Sequence, residues 1–232
     1  MGRSVVLAGA PRCPGCLLPG RWCVCGVLGP VETRLAVHVL IHRAESHRPS
    51  STGRLVGRAM PAARTHLYQR ATRFFPAAAL TPDALEPGRE TWILHPAGEP
   101  LPAVPASTTG ATPQIVLLDG SWRQAAEMLR SVEGLGRCVR LPEGAAGRSR
   151  NWLREQADEA RLSTAETLEV VLAETGEGEA ARGLRLWFEL HVWATLRARG
   201  RREAAERYLV DSALAVAAPE ALRRIEAGPD GV

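Results

Sequence analysis

The sequence predicts an α/β fold on a mostly parallel sheet, preceded by a small N-terminal four-cysteine knuckle. Three observations predict it. Short apolar, β-branched runs recur at residues 34–41, 91–95, 114–118 and 137–141. Helix-period stretches intervene, as crossovers between parallel strands require. Four of the five cysteines fall between Cys13 and Cys25. The 232 residues are 45% hydrophobic and 23% charged, long enough for a substantial core and too apolar for general disorder. No apolar run approaches the roughly 18 residues of a membrane span, which excludes an integral helical membrane protein.

The knuckle comes first along the chain. Cys13-Pro14-Gly15-Cys16 and Cys23-Val24-Cys25 give the spacing C-x2-C-x6-C-x-C. Such turns place thiolates around one tetrahedral metal, and four protein ligands close the site to water, so the metal would be structural zinc. An iron–sulfur cluster and two disulfides are the alternatives. The spacing matches neither common ferredoxin pattern, and C-x-C is too short for an unstrained bridge. Trp22 and Arg21 either stack on RNA or pack against the main domain. The stretch before the knuckle, Arg3 to Ala10, faintly resembles a secretion signal, but the thiols favour the cytoplasm.

Residues 34–41 read as a buried strand, followed by a polar segment with His42, Glu45, His47 and Arg48. His42 and His47 are either a zinc pair or solvated loop histidines. Ser51-Thr52-Gly53 opens a short helix through Met60. Residues 91–95 form the next strand and residues 96–113 a loop rich in Pro, Ala, Ser and Thr. The clearest strand, 114–118, runs into Asp119-Gly120-Ser121-Trp122 and a helix through Leu129. Residues 137–141 are a strand ended by Pro142, with Cys138 as a small core residue. Ser163-Thr164-Ala165-Glu166 is a capping box. A long helix covers about 179–199, and the tail beyond Arg201 is expected to be largely solvated. There is no internal repeat.

Parallel sheets bind ligands beyond the carboxyl ends of their strands. That would gather residues 42–53, 95–96, 119–122 and the loop before Ser163 on one rim. There Asp119 can act as a base or bind a hydroxyl or cation. Gly120 permits close approach of a ligand. Ser121 and Ser163 cap helices whose N-termini favour an anion. Arg123 can pair with Asp119 or clamp a carboxylate. Trp122 offers a stacking face, or is a wall residue. Glu166 can hold an ammonium, or serve the capping box alone. Arg148, Arg150, Arg154 and Arg161 are candidate phosphate contacts, or a solvated face paired with Glu155, Asp158 and Glu159. All 29 cations are arginine and the net charge is +4, which supports a polyanion partner weakly.

Four segments in order resemble the DTW-domain family of tRNA-uridine aminocarboxypropyltransferases. They are the Cys13-x2-Cys16…Cys23-x-Cys25 pattern, Ser-Thr-Gly-Arg-Leu at 51–55, Leu-Leu-Asp-Gly-Ser-Trp-Arg-Gln-Ala at 117–125, and Arg-Leu-Ser-Thr-Ala-Glu at 161–166. They span residues 12–200, most of the chain. Ser121 stands where the family's name motif usually has Thr and keeps the hydroxyl. Ser51 stands where Asn is common, which leaves the role of Ser51 open.

The resemblance implies a SPOUT-like catalytic domain at 31–232 behind a zinc knuckle at 1–30. It implies transfer of the 3-amino-3-carboxypropyl group of S-adenosylmethionine to N3 of a uridine in the variable loop of tRNA, releasing methylthioadenosine. Asp119, Ser121 and Trp122 would be catalytic. Thr52, Gly53, Asp119, Gly120, Arg123, Leu162, Ser163, Thr164 and Glu166 would surround the donor. Cys13, Cys16, Cys23 and Cys25 would hold Zn²⁺. A SPOUT-type RNA methyltransferase and a non-catalytic zinc-ribbon RNA-binding protein are the rival expectations.

Overall fold

The structure, a computed structural model, describes residues 11–102, 112–145, 149–153 and 162–228. Five strands form one parallel sheet: β1 (Ala36–His42), β2 (Arg64–Tyr68), β3 (Thr91–Pro100), β4 (Gln114–Asp119) and β5 (Arg137–Arg140). Their order is β2-β1-β4-β3-β5. β1 and β4 are central, and both read as near-continuous apolar runs because both of their faces are covered.

The helices are α1 (Thr52–Ala59), α2 (Trp122–Ser131), α3 (Thr164–Glu174), α4 (Gly178–Ala198), α5 (Arg202–Leu209), α6 (Ala213–Ala217) and α7 (Pro219–Ala227). Alternation along the strands separates two cores. Val37, Val39, Ile41, Ile115 and Leu117 face a large cluster with α1, α3 and α4. Leu40, Ile93 and Val116 face a smaller one with Met128 and Val132 of α2 and its end. α4 is central to the larger core and buries residues around its whole circumference, including Leu184, Phe188, Val192 and Trp193.

From β1 the chain passes through α1 to β2 on one side, and from β4 through α2 to β5 on the other. The adjacent ends of β1 and β4 are therefore a switch point, the place where an open parallel sheet leaves a crevice. Ile41 and Asp119 are register partners there.

Three sequence expectations change. β2 escaped the sequence reading because it is an edge strand with exposed Arg64, Thr65 and Leu67. β3 continues to Pro100 after an irregularity between Leu94 and Glu99, both of which oppose Val139. The tail beyond Arg201 is not largely solvated. Ala204, Ala205, Tyr208, Leu214, Ala221, Leu222 and Ile225 all join the larger core.

The knuckle shares that core as well. Cys16, Leu18 and Val24 are buried in it. Trp22 packs edge-on to Trp193 at 6.0 Å, between the guanidinium groups of Arg21 and Arg197 at 4.5 and 5.0 Å. Of the two expectations for Trp22, packing is the one observed. Arg21 also donates to the carbonyls of Ile225 and Glu226 at the far end of the chain.

Candidate functional site

Asp119, the last residue of β4, is almost wholly buried and joins three segments far apart in sequence. Its Oδ2 accepts from Ser51 Oγ at 2.6 Å. Its Oδ1 accepts from the Gly53 backbone N–H at 3.1 Å and from Thr164 Oγ1 at 2.7 Å. The N-terminal ends of α1 and α3 thus meet on one carboxylate at the switch point. A carboxylate bonded to two helix starts is electrostatically favoured, since their first-turn N–H groups carry partial positive charge.

Local sequence explains each part. Ser51 caps α1 through Arg54 N at 3.3 Å while its hydroxyl hydrogen goes to Asp119. Gly53 is required by contact: a Cβ there would lie 2.6 Å from Asp119 Cγ. Thr52 is buried at the first position of α1. Ser121 and Gln124 form a capping box on α2, and a Cβ on Gly120 would meet Gln124 Cβ at 2.9 Å. Gly120 thus serves the turn's own packing.

Trp122 is about half exposed at the first turn of α2, with Arg123 exposed beside it. Among the described residues no ion pair joins Arg123 to Asp119, whose hydrogen-bond partners come from α1, α3 and the residue before α1. Leu162 and Ser163 are half-buried at the entrance to α3.

Two of the expected site residues are turned inward. Glu166 is buried, and its oxygens accept from Ser149 Oγ, Arg150 N at 2.7 Å and Ser163 N at 2.8 Å. Its carboxylate completes the expected capping box with Ser163 and clamps the preceding loop to α3. Arg150, a candidate phosphate contact, is engaged within the protein. It pairs with the fully buried Glu189 at 3.1 Å, donates to the Tyr208 carbonyl at 2.7 Å and lies over the Tyr208 ring. Glu189 resists the upward push of burial because Ser212, Leu214 N and Arg185 hold its carboxyl below the usual range. Arg148, Arg154 and Arg161 lie outside the described residues.

The cysteines satisfy a separate test. Their four sulfurs lie within 4.8 Å of one another. Cys13 and Cys25 are 3.7 Å apart, Cys16 and Cys23 3.8 Å. A tetrahedron of thiolates about 2.3 Å from zinc has edges of about 3.8 Å, whereas a disulfide needs about 2.0 Å. The donor set therefore fits a metal and excludes the disulfide alternative in this state. Burial pushes the Cys25 thiol up, opposed by Arg58 of α1, which donates to it. Metal binding to four thiolates would leave net negative charge, and Arg58 is placed to balance it. Arg54 fastens the knuckle to the site: it donates to the carbonyls of Pro14, Gly15 and Ser46. His42 accepts from Ala44 N, and His47 is exposed; neither joins a metal-ligating group among the described residues.

A family model described as DTW domain matches residues 10–196. The chain belongs to the DTW-domain family. Membership is consistent with a tRNA-modifying role, and the residues meeting at Asp119 are those of the DTW-family segments. No solved structure matches the chain. No helix among the described residues is long and apolar enough to cross a membrane.

Proposed function

We propose that this chain transfers the 3-amino-3-carboxypropyl group of S-adenosylmethionine to N3 of a uridine in tRNA. The observation that carries the proposal is the convergence of Ser51, Gly53 and Thr164 on Asp119 at the switch point. The strand order, with β1 and β4 central in an all-parallel sheet, supports a SPOUT-like architecture for residues 31–232. The four-sulfur geometry supports structural zinc in residues 1–30.

In the reaction, uridine N3 attacks the donor's γ-methylene. The N3–C bond forms as the C–S⁺ bond breaks, and the electron pair returns to sulfur as neutral methylthioadenosine. The sulfonium supplies the leaving group, so the residues here must orient the donor and receive the N3 proton. The start of α3 offers N–H groups to the donor carboxylate, with Arg123 as a second anchor. Trp122 presents a face to the uridine. A carboxylate has about four lone-pair sites. Ser51, Gly53 and Thr164 take three of those on Asp119, leaving one, on Oδ2, to accept the N3 proton through water.

The test uses purified protein, unmodified tRNA and S-adenosylmethionine labelled in either its carboxyl or its methyl group. Carboxyl label entering RNA without methyl label is the expected result. Methyl label entering RNA would replace the proposed reaction by methylation. RNA binding without transfer of either label, over several tRNA pools, would point to a binding protein.

A further inference from the structure

With Arg150 turned inward, the described structure offers another surface for a polyanion. Two of the chain's three phenylalanines are exposed, Phe74 by 71% and Phe75 by 45%. Each has a guanidinium over its ring. Arg73 lies 4.4 Å from the Phe74 centroid, and Arg43 lies 4.0 Å from that of Phe75. These residues sit just beyond the carboxyl ends of β1 and β2, on the rim that carries Asp119.

The loop that displays them is ordered by its own hydrogen bonds. Gln69 and Ala78 exchange both backbone bonds and close its base. Gln69 Nε2 donates to Pro76 O at 2.7 Å. At the tip, Thr72 Oγ1 accepts from the backbone N–H of Phe74 and Phe75. Arg43 is held in turn by Gln69 Oε1. The loop is also tied to α2: Tyr68 OH and Arg70 both engage Glu127, five residues along the helix from Trp122.

We infer that Arg43, Arg70, Arg73, Phe74 and Phe75 form a stacking and phosphate-gripping platform for an unpaired segment of RNA. Residues 69–79 carry two arginines and no acid, so the surface complements phosphate. Exposed aromatic faces accept any unstacked base, and an arginine plane extends the same stack. An unpaired strand on this loop would run along the rim toward Trp122. The choice of RNA as occupant rests on the proposed function.

The experiment measures affinity of the full chain for unmodified tRNA and for oligouridine at two salt concentrations. Phe74→Ala/Phe75→Ala should weaken both roughly tenfold or more. Arg73→Glu should weaken both and reduce the salt slope by about one. Binding of S-adenosylmethionine by calorimetry, and circular dichroism, should match the unsubstituted protein for each variant. RNA affinity unchanged in these variants would overturn the platform. So would a change in oligomeric state with RNA affinity preserved, which would make the loop a protein interface. Failure of the unsubstituted protein to bind either RNA would overturn it too. Label transfer separates the two ideas. If the unsubstituted protein transfers no label yet the variants lose RNA, the reaction fails and the platform stands. If the variants bind and react normally, the reaction stands and the platform falls.

Discussion

Thr164 reaches Asp119 across 45 residues of chain, its Oγ1 donating to Asp119 Oδ1 at 2.7 Å. Together with the bond from Ser51, it ties the starts of two helices to the end of a central strand. Removing one donor leaves a buried carboxylate oxygen short of a partner, which costs about 1–3 kcal/mol. Thr164→Val is therefore expected to lose stability in that range, read from urea denaturation. It should also weaken S-adenosylmethionine binding, read by calorimetry. Thr164→Ser, which keeps the hydroxyl, should restore most of both. Equal behaviour of the Val and Ser variants would show that the bond does not organise the site.

Gly53 meets Asp119 so closely that any side chain must displace one of them. A Cβ placed 2.6 Å from Asp119 Cγ cannot be accommodated by a flexible tip, because the neighbour is held by three donors. Gly53→Ala should cost about 1–3 kcal/mol by overpacking. A displacement of order 1 Å at the reacting centre should lower turnover roughly 100-fold. Single-turnover transfer and thermal denaturation of the same variant would separate the two effects.

The knuckle should carry metal, and the metal should matter to the whole chain. Elemental analysis is expected to find about one zinc per chain. Cys16→Ser should lose it and lower the thermal midpoint, because Cys16, Leu18 and Val24 pack in the main core. A metal-free variant that melts with the native protein would mean that the knuckle contributes nothing to that core.

Acid should unfold this protein through its buried histidines. Burial holds His38 down from an ordinary value near 6.5 to about 4, helped by His66 stacked against it at 5.3 Å and by Arg64, with Glu86 opposing. Burial holds His191 down to about 4 as well, against the Pro49 carbonyl that its Nε2 meets at 2.8 Å. Each folded-state value lies below the unfolded one, so the unfolded chain binds more protons in between. The stability is present above about pH 6.5 and is lost as pH falls toward 4. Urea midpoints at pH 7, 6 and 5 should decrease in that order. His191→Gln should flatten part of the decline.

Legibility followed burial. β1 and β4 stood out because both faces are apolar, and Asp119 stood out as the first polar residue after Leu118. Strand order was not legible, so the rim on which residues 42–53, 119–122 and the loop before Ser163 were expected to gather gave no sign that Ser51 and Gly53 bond to Asp119. Thr164, named from its motif, likewise had no visible partner. β2 was hidden because Arg64, Thr65 and His66 give an edge strand no apolar run. The C-terminal helices were hidden because their inward positions are so often alanine, as at Ala204, Ala205, Ala218 and Ala221, while the outward ones are charged. The capping role of Glu166 was legible in its motif, but a sequence does not show that its carboxylate also faces Ser149, nor that the guanidinium of Arg150 faces Glu189. Phe74 and Phe75 passed unremarked for the opposite reason: two aromatics in an irregular stretch are expected to be covered.

The bonds from Arg21 to the carbonyls of Ile225 and Glu226 span more than 200 residues. Synthesis runs from the N-terminus, so the four cysteines are made well before Trp193 and α7. Their seat exists only once α7 has been made. Asp119 waits too, since Thr164 arrives well after it. A chain cut short before α4 would carry the four cysteines with Trp22 uncovered and Arg21 without its carbonyl partners.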